Sequence, residues 1–246
     1  MRTVVIIPAR FSSSRYPGKP LVPLLGKPMV LWVAELAARA VGSENVYVAT
    51  DDDRIASIVD QGGFRFVMTG PAQTGTDRIA DAVSQIEGDI FINLQGDEPL
   101  ADPEDILKIR DKKLHHPEKV INGYALISES EDPSSVNIPK VITNESDELV
   151  YMSRLPIPGF KEYENAPKTY KKQVCIYAFS RNELKKYREF GRKSALEESE
   201  DIEILRFFEI GIPVLMIQTK PGSLAVDVPE DVENVELALR ALHHET

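Results

Sequence analysis

The sequence predicts an α/β fold with a mostly parallel central sheet flanked by helices. In the first half of the chain, short runs rich in β-branched residues alternate with segments of helical periodicity. These runs cover residues 3–7, 45–50, 64–68 and 89–94. Such alternation is typical of βαβ units, whose strands pair in parallel. With 246 residues the chain can bury a substantial core, and we expect a single domain over residues 1–246.

The helices and the later strands follow from periodicity and proline positions. Pro28 suits the first turn of a helix, and apolar residues such as Leu31, Ala34 and Ala38 recur at helical spacing up to Val41. The other expected elements are helices at 53–60, 77–87 and 103–115, a strand at 174–179, a helix at 196–209, a strand at 214–218 and a final helix from about Pro229. The acidic, proline-rich middle of the chain predicts an insertion on the sheet.

The composition limits the classes of partner. Lys and Arg number 29 against 39 Asp and Glu, for a formal net charge of -10. This balance argues against nucleic acid as a partner, because nucleic-acid surfaces rely on clustered basic residues. Cys175 is the only cysteine, so no disulfide forms within the chain, and we expect a cytoplasmic protein. No apolar run reaches the roughly 18 residues of a membrane span, so we expect no membrane partner.

The loop after the first predicted strand carries candidate phosphate ligands. Residues 8–20 read PARFSSSRYPGKP and include Arg10, Ser13, Arg15 and Lys19. Ligands of open parallel sheets bind beyond the carboxyl ends of the strands, and cations, hydroxyls and backbone N–H groups bind phosphate oxygens. The loop has neither the GxxxxGK[ST] nor the GxGxxG pattern of nucleotide-binding loops. The alternative is an ordinary surface loop with scattered charge.

Two carboxylates are candidate metal ligands. Asp97 follows Gly96 in the loop NLQGDEP after a predicted strand, and Asp227 lies in VDVPED before the final helix. Carboxylate oxygens are what Mg²⁺ takes alongside substrate phosphates. Each aspartate has an alternative role as a helix cap, Asp227 especially because Pro229 follows it closely.

A predicted helix start is a further candidate for nucleotide contacts. The segment TGTDR runs from Thr74 to Arg78. Backbone N–H groups at helix N-termini bind anions, and Arg78 adds a cation. We therefore expect this segment to lie near the phosphate loop.

Taken together, these segments resemble the 3-deoxy-manno-octulosonate cytidylyltransferases, also called CMP-ketodeoxyoctonate synthetases. The matching stretches run in family order over nearly the whole chain: PARFSSSRYPGKPL, GKPMV, VATDD, TGTDR, NLQGDEP, VYMSRLPIP, IYAFS and VDVPED. Their combination is specific, although each motif alone is not. The resemblance implies a nucleotidyltransferase fold of the nucleotide-diphospho-sugar transferase type. It also implies a homodimer, with an insertion at about residues 140–171 contributing to the partner contact.

The resemblance further implies a magnesium-dependent reaction of CTP with a small acidic sugar, as in lipopolysaccharide biosynthesis. The anomeric hydroxyl of a 3-deoxy-2-ulosonic acid attacks the α-phosphorus of CTP and releases pyrophosphate. Such a transfer depends on charge neutralisation and in-line positioning. No histidine lies in the matching stretches, so we expect the metal rather than a histidine base to activate the hydroxyl.

The matching positions carry the functional residues that the resemblance implies. Catalysis is assigned to Arg10, Lys19 and Asp97. The magnesium ion is assigned to Asp97 and Asp227. Contacts with CTP are assigned to Ala9, Arg10, Ser13, Arg15, Lys19, Gly75, Arg78 and Gln95. Contacts with the acceptor sugar are assigned to Lys140, Arg154, Gln173, Tyr177, Glu203 and Ile204.

The chain departs from the family pattern at the acceptor positions. Gln173 replaces a histidine that contacts the sugar acid, and Cys175 replaces a glycine two residues further on. Ile204 replaces the glutamine of a Glu-Gln-Leu-Arg pattern. Polar groups in a buried site discriminate strongly between substrates, so these changes could redirect acceptor choice. The acceptor is then either plain ketodeoxyoctonate or a modified relative, such as an amino or deoxy octulosonate.

Other functions stay open at this point. Within enzymes, the alternatives are a cytidylyltransferase for a neuraminate-type sugar and one for a small phosphonate. Outside enzymes, the alternative is a nucleotide-binding regulator. The presence of both Asp97 and Asp227 favours an enzyme, because a pure nucleotide binder does not need the pair.

Overall fold

The computed structural model describes residues 1–12, 16–129, 131–220 and 224–244. The described strands are β1 (Thr3–Ala9), β2 (Pro23–Leu24), β3 (Lys27–Pro28), β4 (Val46–Thr50), β5 (Arg65–Met68), β6 (Ile90–Leu94), β7 (Val120–Leu126), β8 (Lys140–Thr143), β9 (Leu149–Ser153), β10 (Lys171–Phe179) and β11 (Val214–Gln218). The described α-helices are α1 (Met29–Val41), α2 (Asp53–Gln61), α3 (Gly75–Ala82), α4 (Pro103–His115), α5 (Arg181–Glu189), α6 (Ala195–Glu200), α7 (Ile204–Glu209) and α8 (Asp231–His244).

The central sheet takes the described strands in the order β11-β7-β10-β6-β1-β4-β5. β1 pairs in parallel with β4 and β6, β4 pairs in parallel with β5, and β11 does so with β7. Only β10 on this path is antiparallel to its neighbours, β6 and β7. The prediction of an α/β fold with a mostly parallel sheet is therefore confirmed. Because β10 runs against β6, the first residues of β10 lie beyond the carboxyl end of β6.

Helices cover both faces of this sheet. On β1, Val4 and Ile6 belong to one core and Val5 and Ile7 to the other, and all four are fully buried. Burial on both faces is the reason that this strand reads as a continuous apolar run. The helices α3, α5 and α7 pack on the first face, and α1, α2 and α4 on the second. A smaller cluster around Val226 holds α8 against β2 and the start of α1.

Several elements were not predicted from the sequence, namely strands β2, β3, β7, β8 and β9 and helix α5. Strand β7 contains Asn122-Gly123, a pair typical of turns. Gly123 stands where a Cβ atom would approach the Ile176 side chain of β10 to 2.8 Å, so the strand requires a glycine there. Helix α5 begins at a capping box in which Ser180 and Glu183 satisfy each other's backbone N–H groups.

The prediction of one helix over residues 196–209 was wrong. Helix α6 ends at Glu200, and Asp201 adopts the left-handed conformation with φ 50° and ψ 47° before α7 begins at Ile204. A left-handed residue breaks the repeat of helical hydrogen bonds. This break directs residue 201 away from both helices.

The middle of the chain adds strands to the sheet. β8 and β9 form an antiparallel pair, and β8 also pairs with the first residues of β10. The dimer contact expected from residues 140–171 stays a prediction. No helix in the described part of the chain combines the length and apolar character needed to cross a membrane.

Candidate active site

A cleft of about 620 Å³ opens beyond the carboxyl ends of β1 and β6. Distant segments build its walls: the loops after β1 and β6, the start of α3, the connection before β8, the end of β9, and the region from Lys193 to Glu203. The cleft brings together most residues predicted to contact CTP, namely Ala9, Arg10, Lys19, Gly75, Arg78 and Gln95. The predicted residues Ser13 and Arg15 lie outside the described residues.

The loop after β1 turns so that Lys19 faces the cleft. The N–H of Gly18 donates to the carbonyl of Phe11 at 2.8 Å, which closes the loop. Gly18 has a φ of 72°, and a Cβ atom there would lie 3.1 Å from the Phe11 ring. Glycine meets both demands because it accepts positive φ and has no side chain. Lys19 then begins a short 3-10 turn, and its side chain is only 15% exposed.

Lys19 lies between two carboxylates from distant parts of the chain. Its Nζ is 2.6 Å from Oδ2 of Asp97 and 3.6 Å from Oδ1 of Asp227. The N–H of Val226 also donates to the carbonyl of Asp97 at 3.0 Å, so backbone contacts hold the two aspartates together. The assignment of both aspartates to one metal ion requires that they lie close together, and here both contact the same lysine.

The surroundings of Asp97 and Asp227 show whether these residues cap helices, the alternative role that their motifs allowed. Asp102 caps the start of α4, because it accepts the N–H of Glu104 at 2.8 Å. In the turn before α8, Oδ2 of Asp231 accepts the N–H groups of Asp227 and Val228 at 2.7 and 2.9 Å. The carboxylates of Asp97 and Asp227 both lie beside the ammonium group of Lys19.

The donor set at Lys19 fits a divalent cation that is shared with a substrate. The ammonium group of Lys19 lies close to the carboxylates of both Asp97 and Asp227, which shows that a positive charge is stabilised at this position. Across the described residues, no group of three or more His, Cys, Asp or Glu side chains is arranged to hold a metal alone. Mg²⁺ commonly binds through one or two carboxylates, with phosphates and water completing its coordination. Asp97, which lines the cleft, and Asp227, which lies beside it at Lys19, are two carboxylates of this kind.

Gly96 allows the loops after β1 and β6 to approach each other. A Cβ atom on Gly96 would lie 3.1 Å from the carbonyl oxygen of Pro8, which is tighter than ordinary contact. The absence of a side chain lets the backbone after β6 cross close to the end of β1. This crossing brings Gln95 and Asp97 to the same cleft as Arg10.

The start of α3 forms one wall of the cleft, and Glu203 of the α6–α7 region holds it. The Glu203 carboxylate accepts the N–H of Gly75 at 2.9 Å, the N–H of Thr76 at 2.8 Å and the Thr76 hydroxyl at 2.5 Å. Burial raises the pKa of Glu203, and the hydrogen bonds from Thr76 and Gly75 oppose that rise. Glu203 was predicted to contact the sugar. It instead binds the N–H groups at the start of α3 that were predicted to contact the nucleotide.

Arg78 is held firmly at the cleft. Its side chain is 3% exposed, with Nη1 donating to the Thr69 hydroxyl at 2.6 Å and Nη2 pairing with Asp51 at 2.8 Å. Thr69 and Asp51 follow β5 and β4, so Arg78 ties α3 to the carboxyl ends of those strands. Its guanidinium contributes a fixed positive charge beneath the cleft.

Arg206 of α7 braces the same wall from behind. Its guanidinium is 1% exposed and lies 3.8 Å from the centre of the Tyr187 ring. It donates to Glu197 at 2.6 and 2.7 Å and to Asp77 at 2.7 and 3.2 Å. Asp77 in turn accepts the hydroxyl of Thr74, the N-cap of α3, at 2.8 Å. The wall is therefore joined to α6 and α7 by a buried ionic network.

The residues predicted to contact the sugar divide into two groups. Arg154 lines the cleft, but its Nε, Nη1 and Nη2 donate to the carbonyls of Glu200, Val136 and Asp201 at 2.5, 2.7 and 2.9 Å. Lys140 does not reach the cleft. Its ammonium group is fully buried and donates to the carbonyls of Ser135, at 2.9 Å, and of Arg154. Lys140 therefore supports the wall instead of presenting a charge to ligands.

Gln173 and Tyr177 lie on β10 and not among the residues that line the cleft. The Gln173 amide donates to Asn122 at 3.2 Å and to the Tyr177 hydroxyl at 3.3 Å, and Tyr177 is 4% exposed. Burial raises the pKa of the adjacent Cys175 thiol to about 12, so this thiol stays protonated at neutral pH and is no nucleophile. Ile204 is 1% exposed within the core and likewise does not line the cleft.

Several cleft residues were not predicted from the sequence. Lys193, Asp201 and Asn137 also line the cleft. Lys193 donates to Oδ1 of Asp201 at 2.9 Å. Neither residue follows a predicted strand, and no motif marks them. Lys193 lies in the connection between α5 and α6, and Asp201 lies in the left-handed turn between α6 and α7.

Comparison with known proteins places the chain among enzymes of one class. A family model described as cytidylyltransferase matches residues 4–218. An 8-amino-3,8-dideoxy-manno-octulosonate cytidylyltransferase of Shewanella oneidensis is 40% identical over 248 residues, covering 97% of this chain and 99% of the relative. The protein of that description from Shewanella baltica is 39% identical over 250 residues, with the same coverage.

Solved structures agree with this placement. A CMP:2-keto-3-deoxy-manno-octonic acid synthetase complexed with CTP matches with a TM-score of 0.90 and 36% identity, covering 99% of this chain and all of the other. A cytidylyltransferase from Leptospira borgpetersenii matches with a TM-score of 0.65 at 18% identity over 98% of this chain, which supports the fold alone. The family model spans most of the chain, and the relatives align over nearly their full length. The predicted resemblance is therefore confirmed, and the chain belongs to the cytidylyltransferase family.

Proposed function

We propose that this protein transfers CMP from CTP to the anomeric hydroxyl of a 3-deoxy-2-ulosonic acid, with 8-amino-3,8-dideoxy-manno-octulosonate as its preferred acceptor. The observation that carries the proposal is the meeting of Lys19, Asp97 and Asp227 at one end of the cleft. The Shewanella relatives support the choice of acceptor, because their names specify the 8-amino sugar.

The nucleotide is proposed to bind between the loop after β1 and the start of α3. Arg10 is exposed in the cleft and forms no ion pair with any other described residue, so its charge is available to a triphosphate. Lys19 and the fixed Arg78 add positive charge on the same side. Clustered cations lower the barrier to phosphoryl transfer by neutralising charge that spreads over the phosphate oxygens.

The reaction then proceeds as a direct displacement. The anomeric oxygen forms a bond to the α-phosphorus, the bond between the α-phosphorus and its bridging oxygen breaks, and pyrophosphate leaves. The proton of the hydroxyl passes to solvent, since no histidine lies among the described residues that line the cleft. We assign Asp97 and Asp227 to Mg²⁺, which when bound would polarise the α-phosphate and lower the pKa of the sugar hydroxyl.

The acceptor end of the site is proposed to differ from that of the plain octulosonate enzymes. In the family resemblance, a histidine and a glutamine contact the sugar at the positions of Gln173 and Ile204. Gln173 is committed to Asn122 and Tyr177, and Ile204 packs into the core. Neither therefore reproduces the contacts of the residue it replaces. A shifted set of sugar contacts favours a modified acceptor.

An acceptor panel tests this proposal. Pyrophosphate release is measured with CTP and Mg²⁺ in the presence of the 8-amino octulosonate, plain 3-deoxy-manno-octulosonate, a neuraminate or an aminoalkyl phosphonate. We expect kcat/KM to be highest for the 8-amino sugar, by about tenfold over the plain sugar, a difference of roughly 1.4 kcal/mol in transition-state binding. Highest kcat/KM for the plain sugar, the neuraminate or the phosphonate would contradict the proposed acceptor.

We further propose that the protein is a homodimer that uses the segment at residues 140–171. This segment exposes large apolar side chains, with Leu155 66%, Phe160 46% and Tyr163 88% exposed. Phe160 and Tyr163 also contact each other edge to face, and exposed apolar side chains that cluster are typical of contact with a partner. Light scattering at micromolar concentration is expected to give twice the 27.5 kDa mass of the chain. A Tyr163→Lys, Leu155→Lys variant is expected to give the single-chain mass, whereas Leu237→Lys on α8 leaves the dimer intact.

A further inference from the structure

The carboxylates that line the cleft differ in exposure and in how many of their oxygen atoms are already bound to other residues. Among the described lining residues they are Asp97, Glu197, Asp201 and Glu203. Asp97 is bound to Lys19, and Glu197 is 1% exposed and bound to Arg206. Glu203 accepts three hydrogen bonds from the start of α3. Asp201 alone in this set has a largely exposed side chain, at 75%.

Asp201 presents its carboxylate from a fixed backbone. It occupies the left-handed conformation between α6 and α7, and its carbonyl accepts Nη2 of Arg154 at 2.9 Å. Arg154 also holds the carbonyl of the preceding Glu200, so both peptide groups around the turn are anchored to the end of β9. The side chain is therefore exposed although its backbone is held, which is the arrangement expected of a ligand-binding group and not of a mobile surface charge.

One oxygen of this carboxylate is available to a second cation. Lys193 donates to Oδ1 of Asp201 at 2.9 Å, and Oδ2 has no hydrogen bond from any described residue. The hydrogen bond from Lys193, with the charges of Arg154 and Arg10, keeps the pKa of Asp201 below its ordinary value, so the carboxylate is ionised at neutral pH. Asp97, Glu197 and Glu203, the other carboxylates of the lining, are held by Lys19, Arg206 and the start of α3. Oδ2 of Asp201 is therefore the carboxylate oxygen of this set that is best placed to form an ion pair with a positively charged group on a ligand.

We infer that Asp201 binds the terminal ammonium group of the acceptor sugar and thereby selects an amino sugar over its hydroxyl counterpart. This inference rests on the proposed function, because the acceptor enters it as the 8-amino octulosonate. The ammonium donates to Oδ2 of Asp201 while Lys193 keeps Oδ1. A hydroxyl in the same place forms only a neutral-to-charged hydrogen bond, which is weaker than an ion pair with a hydrogen bond. Asp201 is thus a specificity-determining residue.

The test is the ratio of kcat/KM for the 8-amino sugar to kcat/KM for the plain sugar, measured in the wild type, in Asp201→Asn and in Asp147→Asn. Asparagine tolerates the left-handed backbone, so the turn is kept. Asp147 is a matched control, since it also has positive φ, at 59°, and lies in the turn between β8 and β9, outside the cleft. We expect Asp201→Asn to lower the ratio about tenfold, because the amino sugar loses an ion pair and the plain sugar loses only a weaker hydrogen bond. Asp147→Asn is expected to keep the wild-type ratio.

The outcomes separate the inference from the proposed function. A wild type that prefers the amino sugar and an Asp201→Asn variant that keeps this preference overturn the inference and leave the proposed function standing. An equal loss for both sugars in Asp201→Asn also overturns it, because it indicates a structural role. A wild type that turns over neither sugar overturns the proposed function, and the inference with it.

Discussion

The Asp97→Asn variant is expected to lose about 10³-fold or more in kcat/KM while it still binds CTP. Asp97 is proposed to hold Mg²⁺ and contacts Lys19 at 2.6 Å, so the substitution removes a metal ligand and the anion that orients this lysine. Metal activation contributes several kcal/mol to the stabilisation of the transition state, and about 4 kcal/mol corresponds to 10³ in rate. Steady-state pyrophosphate release and CTP binding by calorimetry measure the two effects separately.

The matched control for this variant is Asp102→Asn. Asp102 lies five residues further on, caps α4 and does not line the cleft. Asparagine caps helices as well as aspartate does, so we expect less than about a twofold change in kcat/KM. Asp227→Asn is expected to behave like Asp97→Asn. Undiminished turnover in Asp97→Asn would remove this residue from the metal site and contradict the proposed mechanism.

The Arg206→Met variant is expected to lower the free energy of unfolding by about 3–5 kcal/mol. Arg206 and Glu197 are each 1% exposed, and methionine leaves the Glu197 and Asp77 carboxylates without their partner. Removal of one member of a buried ionic network is strongly destabilising because the remaining charge stays buried and uncompensated. Because the network braces the start of α3, the folded fraction of the variant is also expected to show a raised KM for CTP.

Urea unfolding measures this effect against Arg188→Met. Arg188 also joins a helix to α3, since its Nη2 lies 2.8 Å from Asp81, but its side chain is 56% exposed. Exposed ion pairs stabilise by at most about 1 kcal/mol, so the control is expected to unfold close to the wild type. If Arg206→Met and Arg188→Met lowered the free energy of unfolding equally, the buried network would stabilise the protein no more than an exposed ion pair does. It would then not support the wall of the cleft.

The sequence allowed much of the nucleotide side of the cleft to be predicted. Arg10, Lys19, Gln95 and Asp97 directly follow strands or loops that begin at strand ends, and parallel strands bring such positions together. Asp227 was assigned to the metal with Asp97, because its motif belongs to the same family pattern, and the structure brings both aspartates to Lys19. The backbone near the carboxyl ends of parallel strands is regular, so the order of the strands in the sequence largely determines where these residues lie.

The acceptor side of the cleft could not be predicted in the same way. Lys193 reaches the cleft from the connection between α5 and α6, and Asp201 does so from a left-handed turn between α6 and α7. A non-glycine residue in that conformation leaves no clear signal in a single sequence. The resemblance assigned Lys140 to the sugar, but its side chain turns into the protein and binds the backbone carbonyls of Ser135 and Arg154. The direction of this side chain depends on tertiary contacts that the motif alone does not reveal.

The most direct measurement of the central claim is identification of the product by mass spectrometry. The protein is incubated with CTP, Mg²⁺ and 8-amino-3,8-dideoxy-manno-octulosonate, and pyrophosphate is quantified in parallel. The account predicts one pyrophosphate released for each CMP-linked sugar, and no turnover of CTP without the sugar. Release of CMP in place of a CMP-linked sugar, or CTP turnover that does not depend on an ulosonic acid, would contradict it.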